Sequence, residues 1–416
     1  MLAAYLIVPP LFKASLQPAF PVDITVLLAI PTAAVGGLWL LLNRARLGRR
    51  QLIALSLWLA LAVLVAAGVL WAPDTAAAAR SAAYFIILAT IPLFAALPTA
   101  ADEDRIRQFL LAFVVAGVIF VVIATIALFA GELGERFVFG ANRIAVARAL
   151  LFVPLIGIPL FAWHRFGLRE WGFVAVASLG IFLAVATTSR APTLFFVAVG
   201  SALTVGALAV SRHRGRALAR AGAVILGTLV VFVALAGVLP ERSPARFGLL
   251  LDVAGEIMEE PAPPVGGEGL GEVLPDPEEP PTGGQSVARR GDLFKIAWRT
   301  FLEHPAIGVG TSGYEVAAGY EYPHNLVLHV ASEFGLVGLA LLGALGILAL
   351  LTWRPTSEVT TALGALLAFL LLNAMVSNGI YENRMLWGVW LVVLARPLAD
   401  VRAGIGREPR STATAR

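Results

Sequence analysis

The sequence of 416 residues contains no cysteine, and only 14% of its residues are charged. Without cysteine the chain can form no disulfide framework, no thiolate metal site and no cysteine nucleophile, so its redox compartment stays open. It also has no P-loop, no Gly-x-Ser-x-Gly elbow and no paired carboxylates spaced for a metal-dependent sugar-nucleotide enzyme. Its basic patches are short and match no nucleic-acid-binding module. These absences exclude several enzyme classes and a nucleic-acid partner.

Most residues of the chain are apolar. Hydrophobic residues make up 59% of the chain, and the mean hydropathy is +0.84, far outside the range of soluble domains. A membrane-spanning helix needs about 20 apolar residues. The sequence therefore predicts an all-α polytopic membrane protein with about twelve transmembrane helices, near 3–20, 24–42, 52–72, 81–98, 109–130, 144–163, 171–188, 191–210, 221–239, 326–352, 359–378 and 385–398.

The charge of the short loops predicts the orientation. Arginine-rich loops, at 43–50, 164–170, 211–220 and 401–410, all fall on one side of a twelve-helix count, and such loops favour the cytoplasm. Both termini are then cytoplasmic, and one long insertion lies on the opposite face. This division predicts four units: an N-terminal bundle of about nine helices at 1–239, a large loop at 240–323, about three C-terminal helices at 324–400 and a tail at 401–416.

The large loop has two parts of different composition. Residues 252–284 contain nine acidic side chains, seven prolines, seven glycines and no basic side chain. Such a segment cannot bury enough apolar surface to fold alone, so we expect it to be disordered. Residues 288–310 instead carry a helical apolar stripe, which predicts a helix along the membrane surface. The stripe comprises Leu293, Phe294, Ala297, Trp298, Phe301 and Leu302.

Four arginines lie on the face opposite the cytoplasm: Arg143, Arg190, Arg290 and Arg384. Basic residues at these helix ends work against the predicted topology, so something should compensate them. For each arginine alone, snorkelling to lipid phosphate or an ion pair to Glu382 or Glu132 is an alternative explanation. Together they favour an anionic ligand, because the guanidinium group presents a planar fork of donors that suits phosphate oxygens. A lipid pyrophosphate fits such a cluster.

A single histidine precedes the apolar segment at 326–352. Pro323 suits the first turn of a helix, so we expect His324 and Asn325 in the N-terminal turn. The positive end of the helix dipole disfavours imidazolium, and neutral imidazole can accept a proton as a general base must. The alternative is that His324 only caps the helix. His329 follows five residues later, a poor spacing for a metal pair, and we predict neither a metal site nor a cofactor.

Two motifs extend from these residues. The first motif is a histidine followed by an asparagine, nine residues, a glycine, two residues and a small residue. His324, Asn325, Gly335 and Gly338 match it. The second motif lies upstream and consists of an arginine, an apolar residue four positions later and a His-Pro-x-x-Gly-Val-Gly turn. The residues that match it are Arg290, Phe294, His304, Pro305, Gly308, Val309 and Gly310. Arg289 and Leu293 have the same spacing as Arg290 and Phe294, so they are an alternative match. In these motifs the sequence resembles the bacterial O-antigen ligase and O-antigen polymerase superfamily over almost its whole length.

The resemblance implies a membrane glycosyltransferase of the bacterial inner membrane, whose large loop and active site are periplasmic. It implies inverting, metal-independent transfer of a glycan from an undecaprenyl pyrophosphate-linked donor to an acceptor hydroxyl. Arg190 and Arg290 would hold the pyrophosphate, and His324 would take the acceptor proton. Further residues expected to contact substrate are Asn325, Arg289, Arg143, Tyr314 and Arg384. Expected partners are this donor, an acceptor that is a glycan, lipid A core or protein, and membrane lipids.

The acceptor stays open, because ligases, polymerases and protein O-oligosaccharyltransferases share this architecture. The histidine motif favours the ligase, and a polymerase that joins lipid-linked repeat units is the second reading. A transporter of lipid-linked sugars is an alternative of a different class, since it would also line a cavity with arginines. Such transporters are built from repeated halves, and the sequence shows no convincing internal repeat.

Overall fold

The computed structural model describes residues 1–20, 22–43, 47–131, 133, 137–138, 141–160, 167–187, 189–210, 214–235, 283–320, 322–355, 357–377 and 379–396. This part of the chain is almost entirely helical, which confirms the all-α class. In it, a small antiparallel pair of strands, β1 (Phe137–Val138) and β2 (Ala141–Asn142), precedes the seventh helix.

The helices before the large loop are α1 (Leu2–Leu16), α2 (Ile24–Asn43), α3 (Arg49–Ala67), α4 (Thr75–Phe85), α5 (Ile91–Ala100), α6 (Glu103–Phe129), α7 (Arg143–Leu160), α8 (Leu168–Ala186), α9 (Arg190–Val210) and α10 (Arg214–Leu235). A π-helical turn, Ile86–Thr90, joins α4 to α5. The later helices are α11 (Gly283–Glu303), α12 (Gly313–Ala318), α13 (Leu326–Thr352), α14 (Glu358–Ser377) and α15 (Arg384–Ala395).

Eight helical stretches of the described chain are long and apolar enough to cross a membrane. Four shorter apolar helices, Leu2–Lys13, Arg190–Gly206, Gly222–Leu235 and Arg384–Ala395, overlap the remaining predicted segments. The polytopic character is therefore confirmed, whereas the count of twelve crossings stays a prediction.

Helix α7 lies at the centre of the bundle and packs against α6, α8, α9 and α14. Lipid tails are as apolar as the helix surfaces, so close van der Waals packing must hold the helices together. Edge-to-face aromatic contacts supply part of this packing. The ring centroids of Phe113 and Phe152 lie 5.2 Å apart, and those of Trp58 and Trp387 are also 5.2 Å apart. Such contacts fix the position of α7 and of any polar group on it.

The bundle has two distinct ends. At one end, Gln51 at the start of α3 donates to the carbonyl of Ala395 at 2.6 Å, and Arg107 at the start of α6 donates to Leu160 at 3.4 Å. At the other, Thr311 donates to the carbonyl of Val65 near the end of α3, at 2.6 Å. We call this second end the site end. The arginine-rich start of α3 therefore lies opposite the site end.

A break in α13 shapes the site end. Gly335 has φ 59° and ψ −151°, so Leu336 and Val337 cannot donate to the carbonyls one turn earlier as they would in a regular helix. The loop after α11 supplies the missing partners on both sides of the break. Its four hydrogen bonds are Leu336 N–H to Pro305 O at 2.8 Å, Val337 N–H to Ala306 O at 3.2 Å, Val309 N–H to Ser332 O at 3.0 Å and Gly310 N–H to Glu333 O at 2.9 Å.

The predicted helix in the second part of the large loop exists as α11. Its apolar stripe divides: Leu293 and Ala297 are buried, whereas Trp298 and Leu302 are exposed. The acidic segment predicted to be disordered lies outside the described residues, except that Gly283 and Gly284 begin α11. The tail at 401–416 also lies outside them.

Candidate functional site

His324 immediately precedes the cap of α13. The helix begins at Leu326, and the side-chain oxygen of Asn325 accepts the N–H of Leu328 at 2.9 Å. The expectation that His324 lies in the first helical turn is therefore wrong, because asparagine is a strong N-cap and takes that position itself. His324 adopts the left-handed conformation, with φ 58°. Such backbone strain in a residue other than glycine is concentrated at functional sites.

Two tyrosines flank the half-buried ring of His324. The Tyr322 ring meets it edge-on, with centroids 4.8 Å apart and planes at 79°. The Tyr320 ring lies 5.8 Å away at 52°. The imidazole thus contacts two phenols, which lie two and four residues earlier in the chain.

Two predicted arginines come together beside Tyr320. Arg290 lies on α11 and Arg190 begins α9, and the two are close enough for their charges to interact. Burial, and then the positive charge of Arg190, lower the pKa of Arg290 from its ordinary value, while Tyr320 opposes that effect. Like charges held together with partial loss of water are destabilising until an anion compensates them.

A third arginine, Arg148, was not singled out from the sequence. It lies on α7, where its Nε donates to Asn373 Oδ1 at 3.2 Å and a terminal nitrogen donates to Ser377 Oγ. It also interacts electrostatically with Tyr322. The available signal was an arginine inside an apolar segment, which by default marks a functional position. We call Arg290, Tyr320, His324, Tyr322 and Arg148, which are joined by these pairwise interactions, the His324 cluster.

A buried acid lies behind the cluster. Glu333 is fully buried, with Oε1 3.2 Å from His329 Nε2 and 3.4 Å from the backbone nitrogen of Tyr314, while the Tyr381 hydroxyl donates to Oε2. Burial, and then the charge of Glu333, raise the pKa of Tyr381 well above its ordinary value, so this phenol keeps its proton. Sequence reasoning passed over Glu333 and considered His329 only as a metal ligand.

The hydrogen bonds of His329 define its role. Its Nδ1 accepts the N–H of Ile380 at 3.2 Å, so in the neutral ring the proton is on Nε2, facing Glu333. The lone pair that a general base would use is therefore occupied. His329 also lies 6.5 Å from the Tyr322 ring, centroid to centroid, and so supports the back of the His324 cluster.

The other predicted residues lie elsewhere or act differently. Tyr314 is fully buried and its hydroxyl donates to Leu293 O at 3.1 Å, so it supports α11 from beneath. Arg384 donates to Thr25 Oγ1 at 3.4 Å and interacts with Asp23 and Glu382, in a separate group of charges. Arg143 is the first residue of α7, five residues before Arg148. The side chain of Arg289 lies outside the described part of the structure.

The fold and this site define an α-helical, polytopic membrane protein with a cationic and aromatic site at one end of its bundle. Residues 173–343 match the family model described as O-antigen ligase. This match supports the resemblance of the chain to the O-antigen ligase and polymerase superfamily. The matched range runs from α8 into α13 and includes Arg190, Arg290 and His324, whereas Arg148 lies before it. No curated protein and no solved structure matches the chain.

Proposed function

We propose that this membrane enzyme transfers a glycan from an undecaprenyl pyrophosphate-linked donor to an acceptor hydroxyl, as an O-antigen ligase. The reaction takes place on the periplasmic face of the bacterial inner membrane, with both termini in the cytoplasm. The match of residues 173–343 to the O-antigen ligase family model supports a lipid-linked glycan as substrate in general terms. The ligase activity, the lipid and the side of the membrane are our proposal.

The observation that carries the proposal is that the charges of Arg190 and Arg290 interact, and that Tyr320, which interacts with Arg290, contacts the strained His324. Two guanidinium groups together suit a doubly charged diphosphate, because each donates to phosphate oxygens in a planar fork. Arg148 adds a third positive charge that interacts with Tyr322, the second tyrosine in contact with the imidazole. An imidazole in such a group of side chains is suited to deprotonate a hydroxyl while the arginines hold the diphosphate.

In the proposed reaction His324 accepts the proton of the acceptor hydroxyl, and the oxygen attacks the anomeric carbon of the donor. The bond from that carbon to the pyrophosphate oxygen breaks, and its electron pair stays on the pyrophosphate. Arg190 and Arg290 stabilise the charge that develops there. Direct displacement inverts the anomeric carbon, and neither a metal nor a nucleotide is required because the donor already carries its leaving group.

Donor binding and transfer, measured separately with purified protein in nanodiscs, test the two roles. His324→Ala should bind lipid-linked donor as the unsubstituted protein does and lose transfer activity by a factor of about 10²–10⁴, the usual contribution of a general base. Arg290→Gln should weaken donor binding roughly 10–100-fold, as expected for a lost charged hydrogen bond. The control is Arg299→Gln, also on α11, whose exposed side chain pairs with Glu303. Full transfer by His324→Ala would eliminate the proposed base.

Product analysis of the same assay separates the related activities. One large glycan attached to a new acceptor indicates a ligase, and a ladder of products on lipid pyrophosphate indicates a polymerase. A glycosylated polypeptide would indicate a protein O-oligosaccharyltransferase. Movement of unchanged donor across the bilayer, with no new glycosidic bond, would contradict an enzymatic function and indicate a transporter.

A further inference from the structure

Tyr320 and Tyr322 are not explained by diphosphate binding alone. Their ring centroids lie 5.8 Å and 4.8 Å from that of His324. Each also interacts with a different arginine, Tyr320 with Arg290 and Tyr322 with Arg148. Each tyrosine therefore connects the imidazole to one of the positive charges.

The chemistry of the reacting groups indicates what these rings contact. A general base must lie within hydrogen-bond reach of the hydroxyl that attacks the anomeric carbon, so the sugar that carries this carbon must lie beside His324. The side chains next to His324 are the two phenols. A pyranose ring has a face of C–H bonds that packs against an aromatic face, and a phenol hydroxyl can hydrogen-bond the sugar's hydroxyls.

We propose that Tyr320 and Tyr322 form a binding subsite for the first sugar of the donor, the ring bonded directly to the diphosphate. This inference rests on the proposed function and extends it from the diphosphate to the glycan. The arginines then hold the phosphates, and the tyrosines hold the sugar ring. His324 faces the bond between this sugar and the diphosphate, which breaks in the transfer.

The start of α13 adds a geometric reason. Its N-cap is Asn325, so Tyr322 and His324 lie before the helix. Within a helix, a spacing of two positions would place their side chains on different faces. Outside it, their rings meet edge-on and can contact a single ligand.

Two probes distinguish this subsite from phosphate binding. The first is undecaprenyl diphosphate without sugar, and the second is the lipid-linked glycan used as donor in the transfer assay. Tyr320→Leu and Tyr322→Leu should each weaken binding of the glycosylated probe about tenfold and change binding of the sugar-free probe less than twofold. Tyr→Phe at either position should restore most of the loss. Arg290→Gln, by contrast, should weaken both probes alike.

The matched control is Tyr84→Leu, an exposed tyrosine on α4, which should bind both probes as the unsubstituted protein does. Because Tyr322 also packs near His329, the thermal unfolding of its leucine variant is measured alongside binding. Tyr320→Leu provides the second, independent test. Equal loss for both probes, or no loss for either, would overturn the subsite. Failure of the unsubstituted protein to bind either probe would instead overturn the proposed function.

Discussion

At the scale of single residues, the buried Glu333 is the most consequential side chain that contacts no predicted substrate. It accepts hydrogen bonds from the Tyr381 hydroxyl and from the backbone N–H of Tyr314, and its Oε1 lies 3.2 Å from Nε2 of His329. A buried carboxylate without partners would cost several kcal/mol, so these donors make its position possible. Through them Glu333 connects α12, α13 and the loop before α15, the elements that surround the His324 cluster.

Glu333→Gln should therefore destabilise the protein by about 1–3 kcal/mol, because an amide carries no charge and places N–H groups against one of the donors. The expected result is a clearly lower midpoint of thermal unfolding in detergent. Glu303→Gln is the control, since Glu303 is exposed on α11 and its surface pair with Arg299 contributes little. Unfolding of Glu333→Gln at the original temperature would show that these contacts of Glu333 do not stabilise the fold.

At the scale of secondary-structure elements, the break in α13 explains why the two motifs contain glycines. Gly335 has a positive φ, and a Cβ there would lie 2.5 Å from Ala306 C and O. On the other side, a Cβ on Gly308 would lie 2.2 Å from the backbone of Glu333. The loop after α11 can complete the broken helix only because both backbones approach without side chains. Glycines from two separate motifs therefore form one structural unit.

Gly335→Ala should lower stability by about 1–3 kcal/mol, since alanine is strained at this φ and its methyl group must displace the loop. Gly343→Ala, in the same helix, is a matched control: no atom lies within 4 Å of its added Cβ, and it should be neutral or slightly stabilising. Thermal unfolding of both variants gives the comparison. If the two variants unfold alike, the break in α13 is not maintained by the glycine.

At the scale of the whole molecule, the bundle separates two kinds of positive charge. Arg49, Arg50 and Arg107 lie at the end opposite the site, where short arginine-rich loops favour the cytoplasm. Arg148, Arg190 and Arg290 interact with residues at the site end. Arginines at one end of the bundle thus favour its orientation in the membrane. In our proposal, arginines at the other end bind the substrate.

The absence of cysteine makes this arrangement directly testable. Ala317→Cys, exposed on α12 at the site end, should react with a membrane-impermeant maleimide in intact bacterial spheroplasts. Ala101→Cys, exposed between α5 and α6 at the opposite end, should react only after lysis. Both are alanine positions, so the substitution itself is matched. The reverse labelling would place the His324 cluster in the cytoplasm and contradict the proposed periplasmic reaction.

The sequence by itself determined the membrane class and the approximate position of the apolar helices, and it predicted the superfamily resemblance and a site that combines His324 with Arg190 and Arg290. These follow from local composition and from motifs, because hydropathy is a sum over neighbouring residues and a motif has fixed spacing. Local patterns also misplaced His324, since proline and asparagine both suit a helix start and only the folded chain shows which one caps it.

Only the tertiary structure decided that Arg148 and Glu333 surround the site and that Arg384 belongs to a separate group of charges. It also showed that the loop after α11 completes α13. Residues 148, 290, 324 and 333 become neighbours through the packing of α7, α11, α13 and α14. That packing depends on the shapes of many side chains at once, which a sequence window about as long as one helix cannot contain.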